Sequence, residues 1–218
     1  LSSNGSVAPG VTVPSPAGRL LLYGTSVSGS DRMEFRVRDV AAGHDLQDHL
    51  GWITFSKGTW TRDGRGFFYG RYPEPAAGEA LAAANLDMNR CDHRLGTLQA
   101  DDVLVYQRPD RPAWGFGATV TDGGRYLVVT NSGGTDVRTR VHYADLGRPE
   151  TPAVKTRVEP LLDDYNAACS LLGNDGPVFF FQTTHRAPRG RIIAVGTRRP
   201  GPSSWREVVR HSAAVLQA

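Results

Sequence analysis

The 218 residues include 25 Lys and Arg against 22 Asp and Glu, a formal charge of +3, and 39% of them are hydrophobic. This balance excludes wholesale disorder, and no run approaches the roughly 18–20 apolar residues that a membrane span needs. The basic residues are 23 Arg and 2 Lys (Lys57 and Lys155), scattered singly except for Arg198 and Arg199, so neither nucleic acid nor a membrane is an expected partner. The chain opens on Leu1, and residues 1–4 do not form a signal peptide.

Taken in order, four segments share one layout: a short strand, a tight turn, an apolar strand, a polar loop and an alternating strand. The first, residues 11–40, turns at Gly18, continues through the apolar run 20–23 and ends in the alternation Phe35, Arg36, Val37, Arg38. The second begins with GTWTRDGRGFFYGRYPEP at 58–75, turns at Asp63-Gly64 into the apolar run 67–69, and resumes as CDHRLGT at 91–97. Between these pieces, the Ala-rich stretch 76–84 has helix-forming residues but no apolar stripe, and is expected to be a loop or single turn. The third segment, 118–146, turns at Asp122-Gly123 before the run 126–129; the fourth, 168–197, turns at Asp175-Gly176 before 178–181.

Asp-Gly between apolar runs is a strong hairpin signal, because glycine tolerates the positive φ of tight turns. The strands after the turns are apolar on both faces, as a strand sandwiched between two sheets should be, whereas the alternating third strands suit half-buried positions nearer an edge. Fourth strands follow at 103–106, 158–162 and 205–209. Four strands repeated about every 50 residues predict an all-β fold, a partial β-propeller of about four four-stranded antiparallel blades. The expected blades are 1–52, 53–111, 112–162 and 163–218.

Motifs for chemistry are missing from the sequence. It holds no G-x-S-x-G, H-E-x-x-H or phosphate-cradling G-x-x-x-x-G-K-[ST]. Gly115-Phe116-Gly117 precedes a strand instead of opening a helix, which fails the context of a dinucleotide fingerprint. Ser132 and Gly133, like Gly29 and Ser30, fall in polar loops. The acidic pairs Asp101-Asp102 and Asp163-Asp164 are expected in solvated turns, since adjacent residues on an extended chain point to opposite faces. His93 and His142 lie on third strands, with His93 in phase with Cys91 and Leu95, which suits a core or interface role. His44, His49, His185 and His211 fall in loops or at ends. Cys91 and Cys169, with no CxxC, are expected as buried thiols in a reducing compartment. No catalytic residue, metal site or cofactor follows from these residues.

The stretches GSD at 29–31, TWTRDGRGFFYGRYPEP at 59–75, HRLGT at 93–97, TDGGRYLVV at 121–129 and GNDGPVFFFQTTHRAPRGR at 173–191 together resemble the N-terminal propeller of the prolyl oligopeptidase family. The resemblance implies a serine peptidase whose propeller caps an α/β-hydrolase domain carrying Ser, Asp and His. Such an enzyme cleaves short peptides after proline, with the propeller gating access and selecting substrate. On this reading the chain is a fragment of about half a propeller, running from within the first blade to near the start of a fifth. It would be inactive alone, with the hydrolase domain and short proline-containing peptides as partners and a cytoplasmic location. Substrate-facing positions carried over by the resemblance are Phe68, Gly115 and Thr135. The family commonly has an apolar side chain or a Cys at the last two positions, and Phe68 suits blade core as well as a pocket. Arg32 and Cys91-Asp92 also stand where the family usually has aromatic residues. The alternative is a stand-alone, non-enzymatic propeller that binds proteins or peptides.

Overall fold

A computed structural model describes residues 7–27, 30–75 and 85–216; the Ala-rich stretch 76–84 and Gly29 lie outside them. Among the described residues, sixteen strands form four antiparallel four-stranded sheets, each a simple meander. The first sheet is β1 (Val7–Pro14), β2 (Leu20–Val27), β3 (Met33–Asp39) and β4 (His44–Ile53). The second is β5 (Thr59–Trp60), β6 (Gly66–Arg71), β7 (Asn89–Arg94) and β8 (Val103–Tyr106). The third is β9 (Trp114–Val120), β10 (Tyr126–Gly133), β11 (Arg140–Asp145) and β12 (Glu159–Leu162). The fourth is β13 (Cys169–Asp175), β14 (Val178–Thr183), β15 (Arg191–Gly196) and β16 (Arg206–Val209).

The first three sheets open with the same hydroxyl-led turn. Gly18, Gly64 and Gly124 donate their N–H groups to the carbonyls of Ser15, Thr61 and Thr121 at 2.8, 3.0 and 2.7 Å. All three glycines have positive φ, at 71°, 65° and 75°. The turn glycine of the third repeat is therefore Gly124, not Gly123, because the turn is counted from the hydroxyl residue and not from Asp. Gly124 is also a close approach: a Cβ there would lie 2.3 Å from the Arg62 Cβ of the second sheet's turn.

Three apolar clusters join the sheets in an open row. Leu22, Phe35 and Leu50 pack on Phe67 and Tyr69 between the first and second sheets. Phe68 and Met88 pack on Phe116, Leu127 and Val129 between the second and third. Tyr126 and Val128 pack on Phe179, Phe181 and Ile193 between the third and fourth. Interior second strands are accordingly buried on both faces, as β6 is, whereas β14 alternates because one of its faces has no neighbouring sheet.

Several expectations change. The first sheet has a fourth strand, β4, which places His44 and His49 in regular structure and not in loops. Ser132 and Gly133 end β10 instead of lying in a loop. β7 does not alternate; Arg90, Cys91, Asp92 and His93 are all buried, because neighbouring sheets cover both faces of the second sheet. Cys91 and Cys169 are free and buried, as expected.

Candidate functional site

At the end of the sheets away from the hairpin turns, a depression of about 530 Å³ lies across the second and third sheets. Gly115 and Phe116 come from the start of β9 and Thr135 from the chain just past β10, while Tyr72, Met88 and Phe55 border the opposite side. The width of the depression depends on missing side chains, since a Cβ added at Gly115 would meet nothing within 4 Å. The structure thus brings Gly115 and Thr135 together. Phe68 is fully buried in the apolar cluster with Met88 and Phe116 and does not line the depression.

Phe55 is a border residue that sequence reasoning missed. It is 70% exposed, and its φ of 52° lies in the left-handed region, as does that of Trp52 at 59°. Such a conformation costs a bulky residue about 1–3 kcal/mol and persists only where neighbours impose it. Here Gly70 N–H donates to Ser56 Oγ at 2.8 Å, and Tyr72 N–H donates to the Trp52 carbonyl at 3.0 Å. These bonds fasten the loop to the end of β6.

A second polar constellation lies between the first and second sheets. His93 on β7 is 1% exposed and has a carboxylate at each ring nitrogen, Asp48 Oδ1 of β4 at 3.0 Å and Asp102 Oδ1 at 2.7 Å. Tyr69 donates to Asp102 Oδ2 at 2.6 Å, Gly96 N–H donates to Asp48 at 2.7 Å, and Gln99 bonds both the N–H and the carbonyl of Gly51. Burial favours neutral imidazole, but the bonds to Asp102 and Asp48 outweigh it and carry the His93 pKa up to about 9. Burial also raises the Asp48 carboxyl, but the bonds from His93 and Gly96 prevail and hold it below its usual range.

Imidazolium between two carboxylates, sealed from solvent, is an inter-sheet clamp and has no access to a substrate. Asp102 is therefore not a solvated turn residue. Asp101 faces out and Asp102 faces in, with its side chain fully buried. No histidine among the described residues hydrogen-bonds a serine.

The other face of β7 carries Arg90 and Asp92, buried to 2% and 1% exposure. Arg90 has no carboxylate partner among the described residues, only Ser56 Oγ at 3.5 Å, and burial lowers its pKa to about 10. Neither oxygen of Asp92 has a hydrogen-bond partner, and burial pushes its carboxyl up to about 6.

Four consecutive meander sheets with this depression at one end define a β-propeller segment. The family described as "Prolyl oligopeptidase, N-terminal beta-propeller domain" matches residues 1–218, and the chain belongs to that family. Prolyl oligopeptidase A of Amanita bisporigera is 31% identical over 216 residues, covering 92% of this chain and 28% of that protein. The prolyl endopeptidase of Elizabethkingia meningoseptica is 28% identical over 200 residues, covering 92% of this chain and 27% of its own length. A solved prolyl endopeptidase superposes with a TM-score of 0.85 at 30% identity, over 99% of this chain and 30% of that one. Prolyl oligopeptidase B from Galerina marginata, bound to a 35mer hydrolysis and macrocyclization substrate, gives 0.85 at 26% identity over 97% and 30%. The chain spans under a third of the length of these relatives.

Proposed function

We propose that this chain is the gating and substrate-selecting part of a serine peptidase of the prolyl oligopeptidase type, which cleaves short peptides after proline. The observation that carries the reading is the family match along the whole chain, joined to the close superposition on a prolyl endopeptidase. In this reading an α/β-hydrolase domain supplies the Ser, His and Asp. The propeller face bearing the depression turns toward it, and Gly115 and Thr135 border the path of the peptide. Phe68 contributes from behind, by supporting Met88 and Phe116. The blades follow the division at 1–52, 53–111, 112–162 and 163–218, except that Ile53 ends β4 and stays with the first, and the two free thiols suit a reducing, cytoplasmic setting.

The purified chain is expected to leave a fluorogenic Gly-Pro peptide intact. Turnover by the chain alone, abolished by a serine-directed inhibitor, would refute the division of labour between propeller and hydrolase domain.

A further inference from the structure

The three inter-sheet interfaces differ in how well their polar groups are satisfied. Between the first and second sheets, His93, Asp48 and Gln99 are bonded as described, and the Trp60 indole N–H reaches the Val13 carbonyl at 2.9 Å. Between the third and fourth, Thr139 N–H bonds the Ala167 carbonyl at 3.0 Å, Cys169 N–H bonds Thr139 Oγ1 at 2.9 Å, and Tyr126 meets Phe179 edge-on at 5.2 Å.

The seam between the second and third sheets is different. Strand alternation puts Arg90, Asp92 and Arg94 of β7 on one side of it, and Asn131 of β10 with Arg140 and His142 of β11 on the other. The tilted ring contact of His142 with Tyr106 of β8, at 5.3 Å and 49°, fixes that facing. Among the described residues, the buried side-chain polar atoms with no partner are Arg90 Nε, both Asp92 oxygens, Arg94 Nη1, Asn131 Oδ1, Arg140 Nε, His142 Nδ1 and Arg191 Nε. All but the last belong to this seam.

Each such group costs about 1–3 kcal/mol if it stays dry, and more if charged, so the seam gains from admitting water where its neighbours would lose bonds. The direct ties across it are Asn131 Nδ2 to the Tyr106 hydroxyl at 2.6 Å, Val120 N–H to Thr59 Oγ1 at 3.3 Å, Asp87 N–H to the Pro112 carbonyl at 2.8 Å, and Phe116 N–H to the Met88 sulfur at 3.2 Å, and none of them reaches Arg90, Asp92, Arg94, Arg140 or His142.

We propose that the array works as two rigid pairs of sheets hinged at this seam, with the unpartnered carboxylate of Asp92 as the group that loosens it. Asp92 lies opposite Phe68 on one neighbouring strand and Val103 on the other. Arg90 and Arg94 share its face of β7, with Arg94 favouring its charge, while Phe68 beside it packs with the apolar Leu127, Val129 and Ala144 across the seam. Asp63, His93 and Asp102 act on it from its own sheet. With its pKa raised from 3.8 to about 6, the penalty of ionised Asp92 is absent below 3.8 and complete once pH has passed 6. The hinge is then loose at neutral pH and tightens on mild acidification. Because Tyr72 and Met88 border the depression from one pair and Gly115 and Thr135 from the other, hinge motion changes its width.

The protein supplies its own reference probes. Cys91 lies in the cluster between the first and second sheets and Cys169 in that between the third and fourth, while Ala144 lies in the seam cluster. An Ala144→Cys variant places a thiol in the seam, and disulfide-exchange reagents read all three, each rate normalised to a free thiol at the same pH. The seam thiol is expected to react about tenfold faster than Cys91 and Cys169 at pH 7.5, and to slow severalfold at pH 5.5 or when Asp92→Asn is added. Peroxide oxidation of the native Met88, which needs no introduced thiol, should slow in Asp92→Asn in the same way. Three equally slow thiols, or seam and Met88 rates indifferent to Asp92→Asn, would overturn the hinge.

Discussion

The His93 clamp converts directly into a pH profile of stability. Its pKa rises from 6.5 to about 9 in the folded chain, which corresponds to about 3 kcal/mol. Because the folded value is the higher one, this stabilisation is complete below pH 6.5 and is lost as pH rises through 9. Urea unfolding at intervals between pH 6 and 9.5 should therefore show a loss of about 3 kcal/mol. Both cysteine pKa values are raised by burial, so the thiols also disfavour the folded state at the alkaline end. The comparison with His93→Gln, which keeps both thiols, isolates the imidazolium. That variant leaves Asp48 and Asp102 buried without a cation, which costs about 3–5 kcal/mol at pH 6.5, and its profile should be flatter through the window. Asp48→Asn, a milder change, should keep part of the slope. A wild-type profile flat from 6.5 to 9, or the same slope in His93→Gln, would refute the clamp.

Four substitutions test other points of the account. Gly124→Ala should destabilise by about 1–3 kcal/mol, because φ is positive and the Arg62 side chain blocks a Cβ, while Gly123→Ala, with open space around it, should stay within about 0.5 kcal/mol in the same urea assay. Phe68→Ala should lose about 3–5 kcal/mol as a core truncation, and a near-neutral result would show that the ring is not core. Gly115→Met should leave the urea midpoint unchanged while filling the depression, and a large loss of stability would show that Gly115 is confined on that side.

The repeating hairpins were legible because their signal is local: a turn glycine beside two apolar runs needs no knowledge of distant contacts. Counting from Asp-Gly misplaced one glycine, since Thr121, not Asp122, is the fixed point of the turn. β4 was hidden because half of HDLQDHLGWI is polar; its Asp48 is satisfied in the interior by His93 and the Gly96 N–H, 45 and 48 residues away. The same long-range pairing hid Asp102, whose alternation with Asp101 was sound but whose inward face held a cation that sequence alone could not supply. Arg90 and Asp92 show the converse. Their strand was recognised only from Cys91 onward and expected to be half-buried, and it is the two neighbouring sheets that make both of its faces interior. Gly115 and Thr135, named through family resemblance alone, both line the depression. Phe55 gave no signal, because its exposure depends on a left-handed backbone held by Ser56 and Trp52.

Amide shift mapping with a short proline-containing peptide most directly tests whether the propeller presents substrate at the depression. Glycine nitrogens resonate apart from most others, so Gly115, Gly117 and Gly134, all bordering the depression, are suitable reporters. The account predicts shifts confined to these residues and their neighbours Phe116 and Thr135, and their loss in Gly115→Met. Shifts centred on the hairpin turns at Gly18, Gly64 and Gly124, or none at saturating peptide, would contradict it.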